Sequence, residues 1–148
     1  VPDSCGAGRW RGGLGLVRSY RLLADEAVLQ LRADRVRFAP YGLEGGGEGG
    51  RAGNWLGEGN AKRQLPGKVT TTMMAGELLT HHQAGGGGHG NPMARDPALV
   101  ARDVWNGKIT ADFARDRHGV VVDPATGMLD ASGTARLRGT RVGISIPA

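Results

Sequence analysis

Apolar and polar residues alternate with a period of two over Leu14–Leu23 and Ala27–Arg32, and the pattern shifts to a helical period in the last third. Leu14, Leu16, Tyr20 and Leu22 share one parity over Leu14–Leu23, with Arg18 interrupting, and predict a strand. Ala27, Leu29 and Leu31 alternate against Val28, Gln30 and Arg32 and predict another. The turn-like Ala24-Asp25-Glu26 between them makes an antiparallel hairpin the expectation. Val36–Phe38 is a short extended piece ended by Pro40. Lys68–Met74 and Glu77–His82 are β-prone runs split by Ala75-Gly76, a second expected hairpin. Beyond Asp96, Val100 and Val104 lie four apart, as do Ala101 and Trp105. That stripe predicts a helix over Pro97–Asn106, capped by Asp96, opened by Pro97 and stopped by Gly107. Thr110 caps a second helix, Ala111–His118, which has Asp112 in its first turn and Arg117 and His118 at its end, and which Gly119 closes. Val120–Val122 reads as a short strand, Asp123–Gly127 as a turn, and Asp130 as the cap of a last short helix weakened by Gly133. The fold class is therefore α+β: antiparallel strands and glycine-rich loops over 1–83, a glycine-rich loop and helices over 84–148. It is one domain or a fragment of one, completed by its neighbours.

Glycine changes this picture. The 148 residues leave room for one domain with a core, yet 27 are glycine and only 5% are aromatic. Gly85–Gly88 form an unbroken run, and each glycine costs roughly 0.5–1 kcal/mol relative to alanine in a regular element. A folded chain keeps such a run where backbone is needed at close quarters, by taking positive φ or by letting N–H groups approach a ligand or another chain. The helix signal at Asp96 fixes one end, so the run is shaped rather than loose. Glu44–Gly53, in contrast, reads as a flexible loop, after which Asn54-Trp55-Leu56 brings apolar surface back. Cys5–Gly15 has no GxxxxGK[ST], and Gly67-Lys68 is followed by Val69, so this chain has no ATP site of its own.

The formal net charge is +5 and the pI about 10.1. The excess sits early: Arg9, Arg11, Arg18, Arg21, Arg32, Arg35 and Arg37. Such a face is solvated, pairs with another subunit, or binds anions. Nucleic acid ranks last, for want of a recognised motif and of stacking aromatics interleaved with the cations. His81 and His82 point to opposite faces of a strand, and with His89 and His118 they make no zinc spacing, so no metal is assigned. The single Cys5 forms no internal disulfide, which suits a reducing cytoplasm, and with no histidine placed beside it the thiol reads as inert. No apolar run approaches a membrane span and no signal-peptide pattern is present. The chain opens on Val1-Pro2-Asp3, as a processed product or a fragment would.

Five ordered blocks carry a resemblance: DSCGAGRWRGGLGLVRSY from Asp3, LRADRVRFAPYGLEGG from Leu31, GRAGNW from Gly50, AGGGGHGNPMARDPALVARDVWNGKIT from Ala84 and RHGVVVDPATGMLD from Arg117. Together they resemble the C-terminal portion of the hydantoinase B/oxoprolinase family. His89, Asn91 and Ala84 stand where an aromatic residue, aspartate and proline are common in that family. The resemblance implies a subunit of an ATP-dependent amidohydrolase that opens cyclic amides such as hydantoins and 5-oxoproline, or of a related ketone carboxylase. It implies a hydantoinase A-like partner that carries ATP and Mg²⁺, the remainder of a B-like chain, and in some relatives a metal bound in upstream regions. It implies no cofactor on this chain, and neither nucleic acid nor membrane as partner. On the enzymatic reading Gly85, Gly86, Gly87, Gly88 and His89 line a substrate site, where backbone N–H groups stabilise oxyanion charge. Arg9, Arg11, Arg35 and Arg37 are then the anion contacts. On the alternative reading the chain is a non-catalytic structural or interaction segment. No catalytic residue is assigned, and the chain alone is expected to be inactive.

Overall fold

A computed structural model describes residues 1–142, the last two by backbone only, so the final six residues of the predicted 84–148 segment lie outside the described residues. The strands are β1 (Val17–Arg21), β2 (Glu26–Arg32), β3 (Gly53–Leu56), β4 (Arg63–Leu65), β5 (Lys68–Met74), β6 (Leu78–His82), β7 (Val121–Val122) and β8 (Leu129–Asp130). The helices are α1 (Pro97–Trp105), α2 (Ala111–His118) and α3 (Ala131–Val142). The class is α+β, as the periodicities predict.

Neither expected hairpin forms. β1 pairs with β6 and β2 pairs with β5, both antiparallel. The two candidate hairpins are thus the two long strands of one ribbon, β1–β2 against β5–β6, and their turn sequences face each other across it. Residues 22–25 oppose 75–77, four against three, so the ribbon carries one extra residue, as a β-bulge does. Gly76 supplies the sharp bend at φ 80°, Glu77 N–H closes a turn onto Met74 O at 3.1 Å, and Leu22 and Glu77 keep the strands joined at 3.0 Å. Val36–Phe38 is not a strand, and β1 is shorter than the alternation over 14–23 suggested.

The bend folds the β2/β5 half over the sheet β1-β6-β3-β4. Leu29, Leu31, Val69 and Met73 from the ribbon close on Leu56, Leu65 and Leu79 from the sheet, and together they make the first of two cores. The second joins Val100 and Ala101 of α1, Ala114 of α2, Ile109, Val120 and Val122 to Cys5 of the N-terminal segment. The caps behave as their residues predict. Asp96 accepts from Ala98 N–H at 2.8 Å, Thr110 accepts from Phe113 N–H at 3.1 Å, and Gly119 stops α2 at φ 60°. Asp130 accepts from Gly133 N–H at 2.8 Å at the start of α3.

Candidate functional site

The two cores are joined by a three-chain bundle of backbone. Residues 4–13, 42–50 and 85–90 run together, and each segment hydrogen-bonds to the other two. Gly85 N–H donates to Gly50 O (3.0 Å), Gly86 N–H to Gly13 O (2.8 Å) and Gly88 N–H to Gly47 O (2.9 Å). Gly86 O accepts from Gly6 N–H (2.8 Å) and Gly88 O from Leu43 N–H (2.9 Å). Gly47 N–H donates to Ala7 O and Gly50 N–H to Ser4 O, both at 2.7 Å, closing the third side. The supposed flexible loop 44–53 is one wall of this bundle. Gly46 and Gly49 are there for packing, since a Cβ on either would strike the 85–88 run, and Gly45 is there for its φ of 84°.

Sterics explain the composition. A Cβ built on Gly85 would fall on Ser4 O, on Gly87 it would fall on Tyr41 O, and on Gly88 it would fall on Ala7 O. A Cβ on Gly6 or Gly46 would strike the 88 peptide in return. None of the four glycines takes a positive φ, so close approach alone dictates them, as it dictates glycine at the axis of a collagen triple helix. Three of the four N–H groups are spent inside the fold. Gly87 N–H has no partner among the described residues. His89 is exposed and bridges Trp10 on one side and Leu43 on the other.

A buried charge cluster locks the bundle to the helices. Asp103 of α1 is 3% exposed. Its Oδ2 accepts from Arg11 Nε and Arg95 Nη2, both at 2.8 Å, and Lys108 Nζ stands 3.6 Å from Oδ1. Burial pushes the Asp103 carboxyl up, but the hydrogen bonds and charges of Arg11 and Arg95 outweigh it and hold the carboxyl below its usual range. Arg95 reaches on to Arg9 O at 3.2 Å, and Arg138 of α3 donates to Arg95 O (2.9 Å) and His118 O (3.0 Å). His118 is fully buried. Its Nδ1 lies 3.2 Å from Pro92 O, which makes Nδ1–H the donor, while Nε2 and the neighbouring Arg95 Nε have no partner among the described residues. Sequence reasoning missed Asp103, Arg95, Arg138 and His118. The signal for Asp103 was present: it is a carboxylate three residues after Val100, on the apolar stripe of α1.

The other candidates separate. Arg11 is taken up by Asp103 and by Gly12 O (2.8 Å). Arg9, Arg35 and Arg37 are exposed. A cleft of about 450 Å³ opens between the bundle and α2, with Cys5 and Ala7 on its floor, glycines of the 45–50 wall on one side and Phe113 and Arg117 on the other. Its lining comes from that wall and not from the 85–88 run. Burial pushes the Cys5 thiol up, against the charge of Arg11, so the thiol is the protonated form. The four histidines stay apart. His81 pairs with Asn54 at 2.6 Å, His82 packs on Trp55 with ring centroids 4.6 Å apart, and among the described residues no three potential ligands gather to hold a metal. None of those helices is long and apolar enough to cross a membrane.

A sequence profile described as Hydantoinase B/oxoprolinase matches residues 1–92, which include all three bundle segments. The chain belongs to the hydantoinase B/oxoprolinase family. It is similar to an uncharacterized protein of Methanocaldococcus jannaschii, at 35% identity over 93% of this chain and 24% of that protein. It is also similar to the caprolactamase subunit beta of Pseudomonas jessenii, at 32% identity over 90% of this chain and 24% of that one. The crystal structure of the ATP-dependent caprolactamase from Pseudomonas jessenii superposes with a TM-score of 0.75 and 29% identity, over 94% of this chain and 25% of that one. The chain therefore spans about a quarter of the length of the curated relatives it matches.

Proposed function

We propose that this chain is the C-terminal part of a B-type subunit in an ATP-dependent complex that opens cyclic amides of the hydantoin or 5-oxoproline kind, with ATP and Mg²⁺ held by an A-type partner. The observation that carries this reading is the likeness to a caprolactamase subunit across nine-tenths of this chain, the glycine bundle included. ATP would supply a phosphoryl group to the amide oxygen, which makes a poor electrophile a good one and lets water open the ring. The residues of this chain would hold the reacting carbonyl. Gly87 N–H, the one donor of the run without an acceptor among the described residues, would face developing negative charge, and His89 would border it.

A second reading has its own support. Gly85, Gly86 and Gly88 N–H are all spent on carbonyls of the bundle, so the run also serves as scaffold. Gly87→Val does not separate the two, because any Cβ there strikes Tyr41 O. His89→Ala does, since that side chain is exposed. The test uses the full-length B-type protein with its A-type partner, ATP and a panel of hydantoin, 5-oxoproline and caprolactam. Ring opening coupled to ADP release supports the hydrolase; carboxylation of acetone with bicarbonate in its place overturns it in favour of a carboxylase. Within an active complex, a turnover loss of about tenfold or more in His89→Ala with assembly intact supports the substrate role. Unchanged turnover leaves the scaffold.

A further inference from the structure

Three arginines carry their guanidinium groups over aromatic rings that are themselves open to solvent. Arg9 lies over Trp10 at 5.8 Å, Arg35 over Tyr41 at 5.9 Å and Arg37 over Phe38 at 5.3 Å. Trp10 is 61% exposed, Phe38 and Tyr41 68%, and Leu43 56%. These residues are neighbours in the fold. Trp10 and Leu43 flank His89 through its two bridges, and the chain continues through Gly42 to Tyr41 and the Arg35 stacked on it. Beside them is a cleft of about 700 Å³ lined by Arg35, Arg37, Phe38 and Lys68, with Asp34 the one carboxylate in the lining. Among the described residues Arg35, Arg37 and Lys68 have no carboxylate at ion-pair distance. Arg35 is also held at φ 61°, a left-handed backbone that costs a non-glycine residue about 1 kcal/mol or more.

Solvated cations need none of this. Arginine stacked on tryptophan, tyrosine and phenylalanine at an exposed surface is the composition of an interface centre. The stacking orders the guanidinium groups in advance, which lowers the entropy lost on docking. The absence of interleaved aromatics that set nucleic acid aside at the sequence level does not hold for this surface. A protein partner is nonetheless the better fit, because the matching relative is named as a subunit, and the cations of the cleft call for an acidic one.

We propose that this aromatic and arginine surface docks an acidic segment of the partner subunit. Carboxylates of that segment are taken by Arg35, Arg37 and Lys68 in the cleft, while Trp10, Tyr41 and Leu43 exclude water around them. The proposal rests on the reading of this chain as part of a complex and names the face through which the complex forms.

The test is made on the full-length chain and its partner subunit. Hydrogen exchange on the unaltered proteins is expected to show new protection over residues 33–43 when the partner is added. The double variant Arg37→Glu with Lys68→Glu, both at exposed positions, is expected to weaken the complex by about 30-fold or more and to flatten its salt dependence, with the melting temperature unchanged. Trp10→Ala is expected to weaken it by about tenfold. Unchanged affinity in the double variant overturns the proposal, as does a partner that brings no new protection at 33–43. Protection already complete in the free full-length chain also overturns it, since the face is then covered by the same polypeptide. A labelled oligonucleotide that binds through Arg37 and Lys68 while the partner ignores them overturns it in favour of nucleic acid. A complex that forms through this face but opens no cyclic amide keeps the docking and loses the activity; a complex that turns over without this face does the reverse.

Discussion

The ribbon and the glycine bundle are both extended chain held by backbone hydrogen bonds, yet they encode their geometry in opposite ways. In the ribbon, side chains set the register. Leu29 and Leu31 face the sheet and Val28 and Gln30 face solvent, and a slip of one residue would exchange the two sets. In the bundle, the missing side chain sets the register. Gly85, Gly87 and Gly88 lie so near a facing carbonyl that the chains fit only where no Cβ intervenes. The ribbon therefore tolerates substitution on its outer face, while the bundle tolerates almost none along its contact lines. The bundle gains little apolar burial of its own, from Cys5 and Ala7. It depends on Cys5 reaching the helical core and on the Asp103 cluster holding it there.

The largest expected effect follows. Gly88→Ala places a methyl on Ala7 O, and that carbonyl cannot retreat, because it already accepts from Gly47 N–H at 2.7 Å. A loss of more than about 4 kcal/mol, or of the fold altogether, is expected in urea denaturation. A bundle that accepts this methyl with little loss would break the comparison. Asp103→Ala comes next. It leaves Arg11 and Arg95 partly buried without their counter-charge, and breaking a buried pair in this way costs about 3–5 kcal/mol. Melting at low and high salt checks the cause: salt would spare an exposed pair's contribution little, whereas the Asp103 effect should persist at high salt.

The sequence carried some of this and not the rest, for definite reasons. Strand parity was legible because alternation is a local property, and β2 appears within one residue of where the alternation put it. Strand pairing was not, because parity does not name a partner. Ala24–Glu26 and Ala75-Gly76 each look like the tip of a hairpin, and only the facing of one against the other makes them a bend. The helix ends were legible in Asp96, Thr110 and Gly119, whose side chains or φ act within a few residues. The glycine run was legible as close approach, but a residue without a side chain says nothing about which chain approaches it. Asp103 was legible as a misplaced carboxylate. Arg11, 92 residues away in the sequence, was not legible as its partner. The stacking of Arg9 on Trp10 and Arg37 on Phe38 lay in adjacent letters and could have been read.

The ribbon's inner face should respond to truncation as an ordinary core does. Met73, 6% exposed, fills the space between ribbon and sheet, so Met73→Ala is expected to cost about 2 kcal/mol or somewhat more, measured as a shift in urea midpoint. A cost as large as that of Gly88→Ala would remove the contrast between the two regions. Acid provides a milder probe of the joint between bundle and helices. Burial holds His118 below the ordinary imidazole range, and the charges of Arg95 and Arg138 add to that against the opposing bond to Pro92. The unfolded chain then binds the proton first, so stability falls as the pH drops below about 6.5 toward the folded value. Asp103, held below its usual range, adds its own loss only at lower pH still. Urea midpoints at pH 7.5 and 5.5 should differ, and His118→Asn, whose amide N–H takes the place of Nδ1–H towards Pro92 O, should flatten the difference.

The smallest effect tests the steric argument most sharply, because its sign is reversed. Gly13 belongs to the bundle and its carbonyl accepts from Gly86 N–H, yet a Cβ built on it meets nothing within 4 Å and its φ is not positive. If glycine were required here for flexibility, Gly13→Ala would harm the protein as its neighbours' substitutions do. If glycine is required only where chains touch, the methyl points into open space and merely narrows the unfolded ensemble. Gly13→Ala is therefore expected to stabilise by about 0.4–1 kcal/mol, read as a rise in urea midpoint at unchanged slope. A loss at this position would mean that the bundle needs mobility along its whole length, and that the contacts at 85–88 are not what selects its residues.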